Sequence, residues 1–239
     1  MSRRLVFGVI AAAVLVALAG GGVYVYFFSS LHTAPQQLAL GSASPTATAS
    51  GSTAGLAGKW TVASGSQAGY RVNELFVGQT TKHQAVARTS GVSGGMTVAG
   101  DATTGYQISS ITVTVNLTGL HSVDQVAGRD VTQRDFIVSR QMNLQQFPDA
   151  QFTASSVSIP GPVSGTKVSS TFSGSLTIHG VTKTVSATVQ SQVSGAKIEV
   201  AGSVTTDMTD FGVTPPQIGF TTVDSQVVID FDIFLTKAS

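Results

Sequence analysis

The chain has 239 residues, of which 42% are hydrophobic and only 10% are charged, and it contains 26 glycines and no cysteine. This length suffices for one or two domains with a buried core. The lack of cysteine in the sequence excludes disulfides, thiolate metal sites, a cysteine nucleophile and a lipid-modified cysteine. The formal net charge is +1, so no basic field exists to hold a nucleic acid by its phosphates.

The N-terminal segment has the features of a membrane anchor. Arg3 and Arg4 precede an uncharged run over residues 5–28, which as a helix would span about 36 Å against about 30 Å for a hydrocarbon core. Basic residues before the run and none directly after it predict a cytoplasmic N-terminus and a remainder outside the cytoplasm. The alternative is a signal peptide cleaved after Ala19, which would leave an apolar new N-terminus.

Residues 29–57 consist mainly of Ser, Ala, Thr, Gly and Pro and carry no formal charge. Such a segment cannot bury enough apolar surface to offset the entropy that it loses on ordering. We therefore predict an anchor or signal peptide over 1–28, a disordered, flexible linker over 29–57, and a folded domain over 58–239.

Alternation with a period of two dominates the domain and indicates β-strands. In the segment 227–235, for example, the apolar side chains alternate with Asp230 and Asp232. Strands are predicted at 59–63, 69–74, 84–89, 94–98, 111–117, 150–159, 168–177, 181–190, 196–206 and 227–235.

The segment 122–146 breaks this alternation and predicts one or two short helices between strands. The expected fold class is therefore all-β, with an antiparallel sheet and a short helical insertion. Closing the sheet into a barrel would bury one face and remove the exposed edges, and a two-sheet sandwich would satisfy the same pattern.

The motifs that could signal catalysis have simpler explanations. Residues 91–95 match the G-x-S-x-G pattern, but a strand follows the serine where a nucleophile elbow needs a helix, so we interpret them as a hairpin turn. His121 and His179 lack metal-ligand spacing, and we interpret them as turn histidines bonded to the backbone. An enzyme would require two of four side chains to converge beside a cleft: His121, His179, Asp124 and Asp207. We predict no catalytic residue, no metal and no cofactor.

Two features admit two interpretations each. The Arg-Asp pairs at 129–130 and 134–135 could bind a phosphate through the arginines, or Asp130 and Arg134 could form an ion pair at i and i+4 on a helix surface. The phenylalanines fit either an ordinary core or, in a wide barrel with open ends, the wall of a pocket for a long apolar ligand.

A set of motifs in this order resembles the YceI-like polyisoprenoid-binding family. The motifs are Trp60 and the Tyr-Arg-Val of 70–72, the Arg-Asp and Asp-Phe pairs within 126–136, the Phe-Pro step at 146–154, the hairpin at 174–185, and the segment 210–213 with its closing strand. Glu74 and the residues after Phe136 depart from the family's usual pattern. The resemblance covers nearly all of residues 58–239 and implies a lipocalin-like antiparallel β-barrel around an isoprenoid chain.

Together with the predicted anchor, the resemblance leads us to expect a non-enzymatic, membrane-anchored lipid-binding domain in a bacterial envelope. Its partners would be an isoprenoid-type lipid and, through the N-terminal helix, the membrane. The site residues expected from these motifs are Phe136, Phe152, Phe172 and Phe231 in the apolar wall, and Arg129 and Arg134 beside a polar or phosphate head near the mouth. The alternative is a structural or adhesive envelope module with a filled core and no ligand.

Overall fold

The computed structural model describes residues 32–41, 55–126, 128–164 and 167–238. The apolar run over residues 5–28 lies outside the described residues, so the anchor and the cleaved signal peptide both stay predictions. In the part of the chain that the structure describes, no helix is both long and apolar enough to cross a membrane.

The elements match the predicted all-β pattern. All ten predicted strands are present, most of them longer than predicted, and the helix α1 (Gln133–Gln141) falls within the predicted helical segment. The strands are β1 (His32–Thr33), β2 (Gly58–Val62), β3 (Gln67–Phe76), β4 (His83–Thr89), β5 (Val92–Asp101), β6 (Gly105–Asn116), β7 (His121–Ser122), β8 (Gln125–Val126), β9 (Asp149–Pro160), β10 (Lys167–Ile178), β11 (Val181–Ser194), β12 (Lys197–Asp207), β13 (Gln217–Ile218) and β14 (Thr221–Lys237).

The sheet closes into an eight-stranded antiparallel barrel, which decides between the two predicted architectures. The ring is formed by β2, β5, β6, β9, β10, β11, β12 and β14 in that order. It is closed because β14 pairs with β12 along one edge and with β2 on the other. A barrel of this kind has no free edge within the ring.

Some positions of the ring are filled by strands that are broken in two. β2 and β3 follow one another along the same edge of β14. At the break between them, the Ser66 hydroxyl accepts a hydrogen bond from the Phe234 backbone N–H (3.0 Å), a group that a continuous strand would have paired. β4 and β5 follow one another in the same way, since β4 pairs with β3 and β5 with β2. The predicted hairpin turn at 91–95 is therefore wrong, because β5 continues β4 rather than folding back on it.

The two ends of the barrel differ. At one end, which we call the helix end, β3 finishes, β14 begins and α1 contributes side chains to the interior. The opposite end, which we call the far end, carries tight turns and a cluster of buried side chains around Trp60. Three residue pairs mark the helix end: Phe76 with Thr221, Asn116 with Asp149, and Ile178 with Val181. Three others mark the far end: Asp101 with Gly105, Gly105 with Pro160, and Ser194 with Lys197.

Residues 32–41, which we call the strap, lie along the outside of the barrel. β1 pairs with β8, with His32 opposite Val126. Further along, the Leu38 N–H donates to Asp230 Oδ2 (3.0 Å) and the Gly41 N–H donates to Glu199 Oε1 (2.5 Å). The prediction of a flexible linker therefore does not hold for the strap, which finds hydrogen-bond acceptors on the barrel.

Candidate functional site

A cavity of about 370 Å³ occupies the barrel interior. It extends from Leu56 and Val163 near the far end to Val138 and Met142 at the helix end, and nearly all of its lining side chains are apolar. Its volume lies within the roughly 300–1,000 Å³ of small-molecule pockets. The inward-facing apolar residues therefore enclose a space instead of filling it.

Three of the four phenylalanines expected in the wall line this cavity: Phe152, Phe172 and Phe231. The rings of Phe152 and Phe172 meet edge to face, with their centroids 6.0 Å apart. Gly174 makes room for the first of these rings, because a Cβ at that position would lie 2.2 Å from Phe152 Cζ. The glycine and the two rings thus form one packed section of the wall.

The fourth, Phe136, is not in the wall, and this assignment is corrected. Its side chain is 64% exposed. The face of α1 toward the cavity consists of residues at i, i+3, i+4 and i+7, the spacing of one helical stripe. These residues are Arg134, Ile137, Val138 and Gln141. Phe136 falls outside the stripe and points away from the barrel.

A charged cluster holds α1 against the barrel at the helix end. Arg134 donates from Nη1 to Asp124 Oδ1 (2.7 Å) and from Nη2 to Glu74 Oε1 (2.5 Å). His83 Nε2 lies 2.7 Å from Asp124 Oδ2, and the Val86 N–H donates to Asp124 Oδ1 (3.0 Å). Glu74, His83 and Asp124 are buried. Paired charges of this kind persist in an interior only when they are also hydrogen-bonded.

The protonation states in this cluster follow from its geometry. Burial opposes ionisation of Asp124, but hydrogen bonds from His83, Arg134 and Val86 outweigh it and lower the pKa of that carboxyl to about 2. Burial likewise opposes the charge of Arg134, yet its carboxylate neighbours raise its pKa above the usual range. For Tyr70, burial raises the pKa, the Arg134 charge opposes this, and nearby carboxylates add to it. Tyr70 therefore keeps its proton at neutral pH.

The same cluster resembles a metal site in its donor set. Glu74, His83 and Asp124 bring one ring nitrogen and two carboxylate oxygens within 4.8 Å of one another, a combination that Zn²⁺ accepts. Arg134 already donates to both carboxyl groups, so each of them has a cationic partner from the protein itself. Sequence reasoning missed this cluster because its members come from separate elements, and the only available signal was Glu74 on an inward-facing strand position.

The two arginines expected near a head group have different surroundings. Arg134 lines the cavity, but both of its terminal nitrogens already donate to carboxylates. Arg129 lies against rings instead, with its Cζ 4.2 Å from the centroid of Phe76. The expected ion pair between Asp130 and Arg134 is wrong, because α1 begins only at Gln133 and Asp130 accepts hydrogen bonds from Thr132.

The two turn histidines are bonded to the backbone, as predicted. His121 Nδ1 lies 3.2 Å from the Gly119 carbonyl oxygen, and His179 Nδ1 lies 3.2 Å from that of Phe211. Asp207 accepts hydrogen bonds from Thr209, and Asp124 belongs to the charged cluster. The four side chains that a catalytic alternative would need thus have separate partners.

A second charged cluster lies under the strap, on the outer face of the barrel. The Asp230 carboxylate accepts from Arg71 Nε (2.9 Å) and Arg88 Nη2 (2.8 Å), in addition to the Leu38 N–H. Arg71 Nη1 donates onward to Gln84 (2.8 Å). Burial lowers the pKa of Arg88, and the Asp230 charge opposes that effect. The cluster explains how Asp230, which faces outward on β14, is nevertheless buried.

The domain is a closed antiparallel barrel around an apolar cavity of ligand size. This architecture is typical of the class of β-barrels that enclose a hydrophobic molecule. Within that class, the YceI-like domain matches residues 60–235, nearly three quarters of the sequence, and the chain belongs to that family. No curated protein matches the sequence significantly.

Several solved structures are similar to this chain at low sequence identity. A polyisoprenoid binding domain from Saccharophagus degradans, implicated in plant cell wall breakdown, is 15% identical with a TM-score of 0.52 and covers 75% of this chain and 98% of its own. BcnA from Burkholderia cenocepacia is 18% identical with a TM-score of 0.43, covering 69% of this chain and 95% of its own. The YCEI protein of Campylobacter jejuni is 13% identical with a TM-score of 0.38, and the match covers 60% of this chain and 81% of its own.

Proposed function

We propose that this domain binds a long apolar lipid of the polyisoprenoid class inside its barrel, without catalysing a reaction. The main support is the apolar cavity, which reaches from one end of the barrel toward the other. Membership of the YceI-like family and the likeness to a polyisoprenoid binding domain support the same ligand class. The predicted anchor over residues 5–28 would hold the domain at the outer surface of the cytoplasmic membrane.

Hydrophobic transfer alone provides the driving force for such binding. Each buried CH₂-sized unit contributes roughly 0.8 kcal/mol. About ten buried carbons therefore contribute on the order of 8 kcal/mol before the losses of ligand freedom are subtracted. No covalent step is required, because the cavity replaces water with apolar side chains along the chain of the ligand.

The polar groups at the helix end favour a lipid with an uncharged head. Arg134 is already bonded to Glu74 and Asp124, so an incoming phosphate would meet two carboxyl groups as well as one guanidinium. Like charges at such distances repel strongly where water is scarce. Tyr70 lines the cavity beside this cluster and stays protonated. It can donate a hydrogen bond to a hydroxyl or carbonyl head group.

A cavity-filling substitution tests this proposal. Ala187 is 2% exposed and lines the cavity, whereas its neighbour Ser186 on β11 is exposed. Ala187→Phe should lower the affinity for geranylgeraniol, an uncharged isoprenoid alcohol, by about tenfold or more, since the added ring takes the space of several ligand carbons. Ser186→Phe adds the same ring outside and should leave the affinity unchanged.

The measurement is native mass spectrometry of the full chain with added geranylgeraniol, followed by lipid extraction. Circular dichroism checks that both variants keep the strand signal of the parent protein. Geranylgeranyl pyrophosphate should bind more weakly than the alcohol if the head-group argument is right. A folded parent protein that takes up neither lipid would refute the carrier function and leave the structural envelope module in its place.

A further inference from the structure

The large hydrophobic side chains that are exposed among the described residues all lie at the helix end. Val77 is 71% exposed, Phe136 64% and Phe220 49%. The Val77 N–H donates to the Phe220 carbonyl oxygen (2.9 Å), so these two residues are neighbours. Phe136 lies on the outward side of α1 at the same end. Exposed apolar patches of this kind mark surfaces that meet a protein or a membrane.

Arginines lie against the aromatic rings of this surface. The Arg129 guanidinium carbon is 5.7 Å from the centroid of Phe220, and that of Arg140 is 5.6 Å from the centroid of Phe136. An arginine in this position covers apolar surface with its stem while its charge stays in a polar layer. Aromatic side chains with flanking cations are typical of the boundary between lipid head groups and acyl chains.

The strap, which follows the predicted anchor in the sequence, begins at the same end. β1 pairs with β8, which belongs to the connection between β6 and β9 at the helix end. From there the strap runs toward the far end, to Asp230 and then to Glu199. Residue 28, the last of the apolar run, precedes His32 by only four positions. A bilayer anchor that ends at residue 28 would therefore reach the helix end through a link of only four residues, and extended chain spans at most about 3.6 Å per residue.

We propose that the helix end is a docking surface for the lipid bilayer, into which Val77, Phe136 and Phe220 insert. The inference rests on the proposed function for its membrane anchor and its lipid cargo. Docking in this orientation turns α1 and the adjoining end of the cavity toward the bilayer. A lipid would then pass between membrane and barrel without crossing water.

The burial of apolar side chains, rather than the attraction between charges, drives insertion at this surface. Lys82, in the turn after Val77, is paired with Asp224 (2.8 Å), and exposed Asp130 lies next to Arg129 in the chain. Basic and acidic side chains balance at this end, where Lys82, Arg129, Arg140 and Lys183 are matched in number by Asp130, Asp149, Asp210 and Asp224. No excess of positive charge therefore selects anionic lipids. Docking is expected on phosphatidylcholine, a zwitterionic lipid without net charge, with little dependence on salt.

Single-cysteine labelling of the full chain tests the orientation. Because the sequence has no cysteine, Thr80→Cys carries one fluorescent label at the helix end, and Thr103→Cys carries one at the far end as the matched control. Both positions are exposed residues in turns. In phosphatidylcholine vesicles containing a lipid-borne quencher, the label at residue 80 should be quenched and the label at residue 103 should not.

Removing the apolar side chains tests the insertion itself. Phe136→Ser combined with Phe220→Ser should lower the ratio of docked to undocked protein by about tenfold or more, because two aromatic rings no longer leave water. The difference in quenching between the two labels should then disappear. A barrel held only by a tether would give equal quenching at both labels in the parent protein, and that result would overturn the proposal.

Extraction of isoprenoid from the same vesicles separates this proposal from the function on which it rests. Bound isoprenoid without selective quenching at residue 80 would refute docking and leave the carrier function intact. Selective quenching without bound isoprenoid would support docking and count against the carrier function. Recovery of the chain unattached to vesicles would overturn the docking surface together with the anchor.

Discussion

Replacing Asp124 with asparagine should weaken the contact between α1 and the barrel. The amide keeps the shape of the side chain and one oxygen that can accept from the Val86 N–H. It removes the negative charge that faces Arg134 and His83. Breaking a buried ion pair at one partner lowers stability by about 3–5 kcal/mol. Because Arg134 keeps its bond to Glu74, we expect a loss of about 3 kcal/mol in the free energy of unfolding at pH 7.

The effect of Asp124 should depend on pH in a defined direction. Its pKa is about 2 in the folded protein, below the ordinary 3.8. A carboxyl with a lowered folded pKa stabilises fully above its unfolded pKa and loses that contribution as the pH falls through the folded value. Between pH 5 and pH 2 the parent protein should therefore lose roughly 2 kcal/mol from this group. The Asp124→Asn variant should lack that part of the pH dependence.

Urea unfolding of the full chain in detergent, followed by the fluorescence of Trp60, measures both effects. Asp224→Asn is the matched control, since Asp224 forms an exposed ion pair with Lys82. The Asp224→Asn variant should lose less than about 1 kcal/mol of its free energy of unfolding, as is usual for ion pairs on a protein surface. Equal losses in the two variants would refute the view that the buried cluster holds α1 in place.

Three further outcomes follow from the packing. Asp230→Ala leaves two buried arginines without their carboxylate and should lower the free energy of unfolding by about 3–5 kcal/mol in the same urea assay. Gly174→Ala places a methyl group where the Phe152 ring lies and should lower it by about 1–3 kcal/mol, with a lower Tm. Gly219→Ala, where a Cβ meets no neighbour within 4 Å, should leave the Tm unchanged. Leu38→Pro removes the N–H that donates to Asp230. It should speed proteolysis of the strap without unfolding the barrel. An unchanged cleavage rate would show that this hydrogen bond does not hold the strap on the barrel.

The strands were predictable because local alternation reports which face of a strand meets the interior. In β11 the buried Val185, Ala187 and Val189 alternate with exposed serine and threonine, as the pattern required. The closure of the ring was not predictable in the same way. It depends on the pairing of Val62 with Leu235 across almost the whole domain, and periodicity carries no information on which strands become neighbours.

A site residue was predictable only where its position on a regular strand determined whether its side chain points into the barrel. Phe152, Phe172 and Phe231 lie on regular strands and line the cavity. Phe136 lies on a helix whose first residue was unknown, and a helix shifted by one residue rotates a side chain by about 100°. The charged cluster and the strap depend on acceptors that folding brings from distant segments, and composition alone cannot reveal them.

The position of β14 in the ring has a consequence for how the domain is made. β12 and β2 each present an unpaired edge until residues 221–237 have been synthesised. During that interval the apolar inner face is open to water, and sheets with open edges are templates for aggregation. Contacts so distant along the chain also make folding slow. A premature stop or a proteolytic cut within β14 would therefore yield an open, association-prone sheet rather than a slightly shorter barrel.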